Sequence, residues 1–255
     1  PIFADASFMP ALFSGLPQDI ASTARYHIMS EESVLGIPMR VFGTLIIGFI
    51  LFGVALQSTG GGRFFINLAF ALLGGVRGGP AKVAIFASGL FGSLSGSVVT
   101  NVLTTGAMTI PAMKRAGYPA RYAGGIEACA STGGVLMPPV MGATAFVMAS
   151  FLEVPYLAVA AAAVVPSFLY FFGLFVQIDS YAARNGVKGL PRDEIPSVAK
   201  TISEGWFFIF GFLLLIYLLI YLKREAHAPF YATIALLALS QFGKLKSRDP
   251  WYYIV

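Results

Sequence analysis

An all-α polytopic membrane protein is the fold class this sequence predicts, and three observations carry the prediction. Hydrophobic residues make up 57% of the 255 positions, and the mean hydropathy is +0.77. Only 11% are charged, against roughly 25% in an ordinary soluble domain. The charges are spaced so that long uncharged windows lie between them, most of them near the length of about 20 apolar residues that a crossing helix needs. A soluble globular domain, a disordered chain and a disulfide-rich secreted chain are excluded together. The single cysteine, Cys129, can form no internal bridge. The net charge of +5 fits the Lys and Arg excess of cytoplasmic loops. With no basic helix or aromatic platform in view, nucleic acid is not an expected partner.

The elements follow in order. Residues 1–40 read as an external lead-in, where Asp5, Asp19, Glu31 and Glu32 outnumber Arg25 and Arg40. The first span and an arm helix occupy 41–76. The arm, after Arg63, has 13 uncharged residues, too few to cross, and reads as interfacial. The next window, 83–113, has 31 uncharged residues. As one helix it would be about 47 Å long, too long for a hydrocarbon core of about 30 Å and too short for two crossings. Its middle, Gly92-Ser93-Leu94-Ser95-Gly96-Ser97, is a poor helix interior and a good turn. Two half-length helices meeting there form a re-entrant hairpin over 81–113. Basic residues flank both ends (Arg77 and Lys82, then Lys114, Arg115 and Arg121), which places both ends on the cytoplasmic side.

Residues 120–152 contain Ser131-Thr132-Gly133-Gly134-Val135-Leu136-Met137-Pro138-Pro139. Proline lacks a backbone N–H and glycine adds flexibility, so this run predicts a broken helix with halves near 122–132 and 140–152. A span follows over 154–178, then a cytoplasmic linker over 179–204. Two more spans, 205–222 and 228–243, are joined by an external turn that carries Lys223 and Arg224. Trp206, Tyr217, Tyr221, Trp251, Tyr252 and Tyr253 read as interfacial anchors.

A hairpin tip beside a broken helix predicts a binding site near the membrane midplane. Helix C-termini expose carbonyls, which suit a cation, and helix N-termini expose N–H groups, which suit an anion. The hydroxyls of Ser93, Ser95, Ser97, Thr100, Ser131 and Thr132 add neutral oxygens suited to Na⁺. No Cys/His cluster predicts a transition-metal site. Small residues also simply let helices pack closely, so the two clusters together, rather than any one residue, carry this reading. Asn101 serves equally as a site residue or a hairpin clamp. Glu127 reads as an ion-pair or interfacial residue ahead of a proton-coupling one, and Cys129 as a small packing residue. A rival class is an intramembrane serine hydrolase. However, Gly92–Gly96 has the order G-x-x-S-G rather than G-x-S-x-G, and no histidine lies in a central segment, so no enzyme is expected. A structural membrane subunit without transport is the other alternative.

At these residues the sequence resembles a known family. The stretch 78–149, with its S-G-S tip, M-K-R-x-G-Y and S-T-G-G-x-x-M-P-P, is similar to the large permease (DctM-like) domain of tripartite ATP-independent periplasmic (TRAP) transporters. It is similar in particular to the fused permeases that work with TAXI-type binding proteins. Residues 32–75 and 151–182 share the resemblance. The resemblance implies two inverted repeats, each with a re-entrant hairpin and a broken helix in a moving, elevator-type transport region. It implies uptake of an organic anion, commonly a carboxylate, driven by a Na⁺ gradient in a bacterial or archaeal inner membrane. The implied partners are a secreted binding protein, a small membrane subunit or its fused equivalent, and the lipid bilayer. No cofactor is implied beyond Na⁺ as the coupling ion. Carried over by position, the Na⁺ and substrate site comprises Ser93, Ser95, Gly96, Ser97 and Asn101 with Ser131, Thr132, Gly133 and Pro138. One tip and one break are present where the family has two of each. The chain, which starts at Pro1, is therefore expected to be one repeat of a longer protein and not to transport alone.

Overall fold

The computed structural model describes residues 19–33, 35–221 and 225–246. The lead-in up to Gln18, Lys223, Arg224, Trp251, Tyr252 and Tyr253 lie outside the described residues. Every regular element among the described residues is helical. A short amphipathic helix, α1 (Ile20–Met29), is capped by Asp19, whose side chain accepts from the Ser22 N–H. The chain then enters one continuous 22-residue helix made of α2 (Ile37–Val41), a π-helical turn (Phe42–Ile46) and α3 (Ile47–Ser58). Its length of about 33 Å is sufficient to cross a hydrocarbon core. A tight turn leads into α4 (Gly61–Leu73), the arm, which buries Phe64, Phe65, Ile66 and Phe70. Phe64 of α4 stacks on Phe208 at 5.3 Å between ring centroids.

Two helices joined by a short turn occupy the segment read as the hairpin. Helices α5 (Gly79–Ser95) and α6 (Val98–Arg115) have 17 and 18 residues, about 26 and 27 Å each. Only Gly96 and Ser97 separate them. The stretch Gly92–Ser95 stays helical because α5 is packed on α4, α6 and α7, and such packing overrides weak propensity. At the other end the helices run past Lys82 and Lys114, whose charges had bounded the uncharged window.

In the segment read as a broken helix, two helices are separated by an irregular stretch. Helix α7 (Ala120–Gly134) continues through Gly133 and Gly134, and α8 starts at Ala143 and ends at Phe151. The interruption is therefore 135–142. Helix α9 (Tyr156–Arg184) is a 29-residue span, and α10 (Val198–Tyr221) and α11 (Ala228–Lys246) pack on each other. The expected 179–204 linker shrinks to 185–197, because α9 and α10 both extend into it. Gly205 leaves helical geometry within α10, and Phe64 fills the space where a side chain there would stand. Three described helices are long and apolar enough to cross a membrane: Ile37–Ser58, Tyr156–Arg184 and Arg192–Tyr221. The anchors Trp206, Tyr217 and Tyr221 are exposed on the last of these.

Among the described residues two larger apolar cores result, with a smaller one of Ile66, Ala69, Phe70, Val83, Ala87 and Ala112 between α4, α5 and α6. One joins α3, α4, α8, α10 and α11, and includes Phe52, Phe146, Phe208 and Leu236. The other joins α5, α6, α7 and α9 through residues such as Ala84, Met113, Ala130 and Ile178. Leu94, Val140 and Met141, from the hairpin tip and the break, belong to the first core. Tip and break therefore lie where the two cores meet.

Candidate functional site

The hairpin tip is built by backbone geometry. Gly96 caps α5 in the left-handed region (φ 60) and its N–H donates to the Gly92 carbonyl. Ser97 caps α6, its hydroxyl accepting from the Thr100 N–H at 3.3 Å. The C-terminal carbonyls of α5 and the N-terminal N–H groups of α6 therefore converge within two residues. These are the groups that a helix leaves without intrahelical partners, and they carry partial charges of opposite sign.

The break loop lies against this tip. The Val140 N–H donates to the Ser93 carbonyl at 3.1 Å. A methyl group on Gly96 would stand 2.5 Å from the Met141 carbonyl oxygen. Met141 itself has φ 59, and Gly142 caps α8 without a side-chain hydrogen bond. Tyr156 holds the loop from α9, donating its hydroxyl to the Pro139 carbonyl at 2.8 Å and also contacting the Val140 carbonyl. Within this junction the Ser95 hydroxyl oxygen is buried with no hydrogen-bond partner among the described residues. A buried polar atom of this kind is uncommon, and it is the neutral oxygen that a weakly held cation would use.

The expected site residues divide into groups. Ser95, Gly96 and Ser97 form the tip. Ser93 places its carbonyl on the loop, while its hydroxyl bonds back to Leu90 at 2.8 Å. Thr132 is exposed and bonds back to Ala128, and Gly133 faces Tyr170 of α9. Pro138 lines an apolar groove between α5 and α9 with Gly89, Val164 and Phe168. Asn101 is a clamp: it is fully buried, and its side-chain N–H donates to the Ser88 carbonyl at 2.9 Å, joining the two hairpin arms. Ser131 is turned away from the tip and donates to Glu127 at 3.2 Å.

Glu127 corrects its sequence reading. It is 0% exposed and has no ion-pair partner among the described residues. Instead, four buried hydroxyls surround its carboxyl. Ser88 of α5 approaches at 3.0 Å, Thr105 and Thr109 of α6 both contact it, and Ser131 of α7 completes the set. The missed residues carry a readable signal. Asn101, Thr105 and Thr109 recur every four residues, as do Ser88 with Gly92 and Glu127 with Ser131. Residues four apart share a helix face, so two polar stripes, on α6 and α7, converge here on Ser88 of α5. Cys129 is also corrected: it is exposed rather than packed, and its carbonyl accepts from Tyr170. The missed part of the tip junction, Val140–Gly142, acts through its backbone, which side-chain chemistry does not reveal.

Comparison with known proteins bears on this arrangement. Residues 2–249 match the family described as tripartite ATP-independent periplasmic transporter, DctM component. The chain is 32% identical over 225 residues to the C4-dicarboxylate TRAP transporter large permease protein DctM of Pseudomonas aeruginosa, covering 86% of this chain and 52% of that one. It is 29% identical over 178 residues to the isethionate TRAP transporter permease protein DctMQ of Oleidesulfovibrio alaskensis, covering 70% of this chain and 26% of that one. It is 28% identical over 194 residues to the ectoine/5-hydroxyectoine TRAP transporter large permease protein UehC of Ruegeria pomeroyi, covering 75% and 44%. The chain thus spans about half the length, or less, of these relatives. A helical tip against a helical break, in a chain matched almost end to end, makes this multi-pass membrane protein a member of the DctM family of TRAP transporter large permeases.

Proposed function

We propose that this chain forms one inverted repeat of an elevator-type permease, which couples a Na⁺ gradient to uptake of an organic anion across the inner membrane. A secreted binding protein, of the TAXI type, delivers the anion, and a small membrane subunit or its fused equivalent completes the assembly. The chain performs no enzymatic chemistry. The names of the relatives carry C4-dicarboxylate, isethionate and ectoine, so substrate choice differs within one architecture. An anionic group, such as a carboxylate, is favoured here because α6 and α8 each turn an N-terminus toward the tip–break junction, and helix N-termini favour anions.

The observation that carries the proposal is the buried, unpartnered Ser95 hydroxyl at the contact of tip and break. Ser95, with the main-chain carbonyls of the tip and of Met141, offers neutral oxygens for Na⁺, and Ser93, Gly96 and Ser97 shape the tip. Thr132, Gly133 and Pro138 flank the break, while Asn101 clamps the two hairpin arms to each other and Ser131 bonds to Glu127 within α7. In the full-length permease, assayed with its binding protein in proteoliposomes, Ser95→Ala raises the Na⁺ concentration for half-maximal uptake about tenfold. That corresponds to about 1.4 kcal/mol, the scale of one lost polar contact. An unchanged Na⁺ dependence removes Ser95 from the site, and uptake indifferent to Na⁺ in the unsubstituted permease removes Na⁺ coupling altogether.

A further inference from the structure

The groove that Pro138 lines lies between α5 and α9, away from the hairpin tip. Its volume is about 480 Å³, within the range of small-ligand sites. Lys82 and Ser167 are the polar residues of its wall. The Ser167 hydroxyl donates back to the Ala163 carbonyl at 2.7 Å, so along most of its length the wall offers a ligand only apolar surface. On α9 the lining residues run from Val164 to Phe175, about 16 Å of helix. One leaflet of the hydrocarbon core is about 15 Å deep. The groove therefore has the length of one leaflet.

Its two ends differ. One end is closed by Met137 and Pro138 of the break and by Gly89 of α5. The other end is charged. Lys82 Nζ stands 4.7 Å from the centre of the Phe175 ring and bonds to Asp179 at 2.6 Å. Arg77 bonds to the same carboxylate through Nε and Nη2. Two cations thus share one acid, which leaves one positive charge in excess. The Arg77 side chain is 55% exposed, and its Nη1 bonds to nothing among the described residues. Ala81, Met113, Ala123 and Ala182 share one core, which gathers Lys114, Arg115, Arg121 and Arg184 at this same end. An end so rich in Lys and Arg belongs on the cytoplasmic side.

The shape and chemistry of the wall separate a lipid chain from another helix as its occupant. Helices that pack in a membrane meet on small residues. This bundle does so where α5 crosses α7, since a methyl group on Gly92 would lie 2.6 Å from the Gly134 Cα. The groove is instead walled by Phe86, Phe168, Phe172 and Phe175, all exposed. Large apolar side chains around a furrow suit a flexible hydrocarbon chain. A basic site between transmembrane helices at the cytoplasmic surface suits an anionic lipid headgroup, and a guanidinium with unused donors suits its phosphate.

We propose that this groove binds an anionic phospholipid of the cytoplasmic leaflet. One acyl chain lies between α5 and α9 and ends against Met137 and Pro138, and the phosphate accepts from Arg77. Lys82 stays on Asp179 and adds its charge from behind.

The test uses the full-length permease in phosphatidylcholine nanodiscs that contain a small fraction of phosphatidylglycerol with a photoactivatable diazirine midway along one acyl chain. Label should map to residues 85–90 and 164–175. Excess phosphatidylglycerol should lower it about tenfold more effectively than excess phosphatidylethanolamine, the scale of one charge-assisted contact. Arg77→Gln should lose this preference. Arg115→Gln removes one positive charge from the same end but outside the groove, and should keep it. Val164→Trp leaves the ion pairs intact and fills the inner end of the groove from an exposed position, so it should remove label from 85–90. A preference that survives in Arg77→Gln, or that falls equally in Arg115→Gln, overturns the proposal, as does unchanged label at 85–90 in Val164→Trp. Label spread evenly around α9 shows bulk lipid only, and an unlabelled groove shows that another part of the permease or a partner subunit covers it. Either result also overturns the proposal.

Discussion

Gly96 meets two demands at once, and they can be measured apart. Its φ of 60 lies in the left-handed region, which costs a non-glycine residue about 1–2 kcal/mol. A side chain there would also collide with the Met141 carbonyl at 2.5 Å. Gly117, in the turn after α6, has φ 100 but nothing within 4 Å of an added methyl group. Gly117→Ala therefore shows the backbone cost alone, while Gly96→Ala adds separation of tip from break. Thermal unfolding of the purified permease should place Gly96→Ala below Gly117→Ala. Equal midpoints would mean that the tip and the break loop are not held together as described. The left-handed turn is legible in the sequence, because Gly between serines in an apolar window predicts it. The Met141 contact is not, because it is made by a backbone oxygen 45 positions away in the chain. Glu127 was hidden for another reason. A lone acid in an apolar sequence looks like the end of a membrane window, yet α7 begins seven residues before it at Ala120, and its hydroxyl partners come largely from two other helices.

At the scale of elements, glycine has two uses that sequence alone does not separate. Gly92 and Gly134 are each the place where α5 and α7 cross. A methyl group on Gly92 would lie 2.6 Å from the Gly134 Cα, and one on Gly134 would lie 2.7 Å from the Ser88 carbonyl oxygen. Both glycines remain helical because the close crossing supplies contacts that offset their poor propensity. The existence of the hairpin and of the break was therefore readable, but their edges were not, since some glycines mark a crossing and others a turn. Gly92→Ala should push α5 from α7, lengthening the Asn101–Ser88 and Ser88–Glu127 hydrogen bonds of 2.9 and 3.0 Å. Overpacking of this kind costs about 1–3 kcal/mol. Gly125 in α7 has nothing within 4 Å of an added methyl group, so Gly125→Ala should gain up to about 1 kcal/mol from helix propensity. A lower unfolding midpoint for Gly92→Ala and an equal or higher one for Gly125→Ala are expected. The opposite order would show that α5 and α7 do not cross at these residues.

At the scale of the whole molecule, the two cores differ in what joins them. Within the hairpin bundle, directional bonds link the helices: Asn101 to Ser88, the Glu127 cluster, and Lys82 with Arg77 on Asp179. Between α3–α4 and the hairpin, contact is made by small and apolar groups such as Gly53 beside the Leu94–Ser95 backbone, and Ile66, Ala69 and Phe70 against Val83 and Ala87. Close packing sets a register of its own, but moving from one register to the next along it breaks no directional bond, so a bundle held by polar bonds can move along this face as a unit, as the elevator proposal requires. Among the described residues, a side-chain hydrogen bond crosses this boundary from Gln57 of α3 to Thr104 of α6 at 3.0 Å, and both ends are accessible. Cysteines at 57 and 104, in a background where the exposed Cys129 is replaced by serine, should react with a short thiol-to-thiol cross-linker. Uptake should stop when the link forms and recover when a cleavable linker is reduced. Undiminished uptake with the link demonstrably formed would place both residues on one rigid body, and the moving boundary would then have to lie elsewhere in the permease.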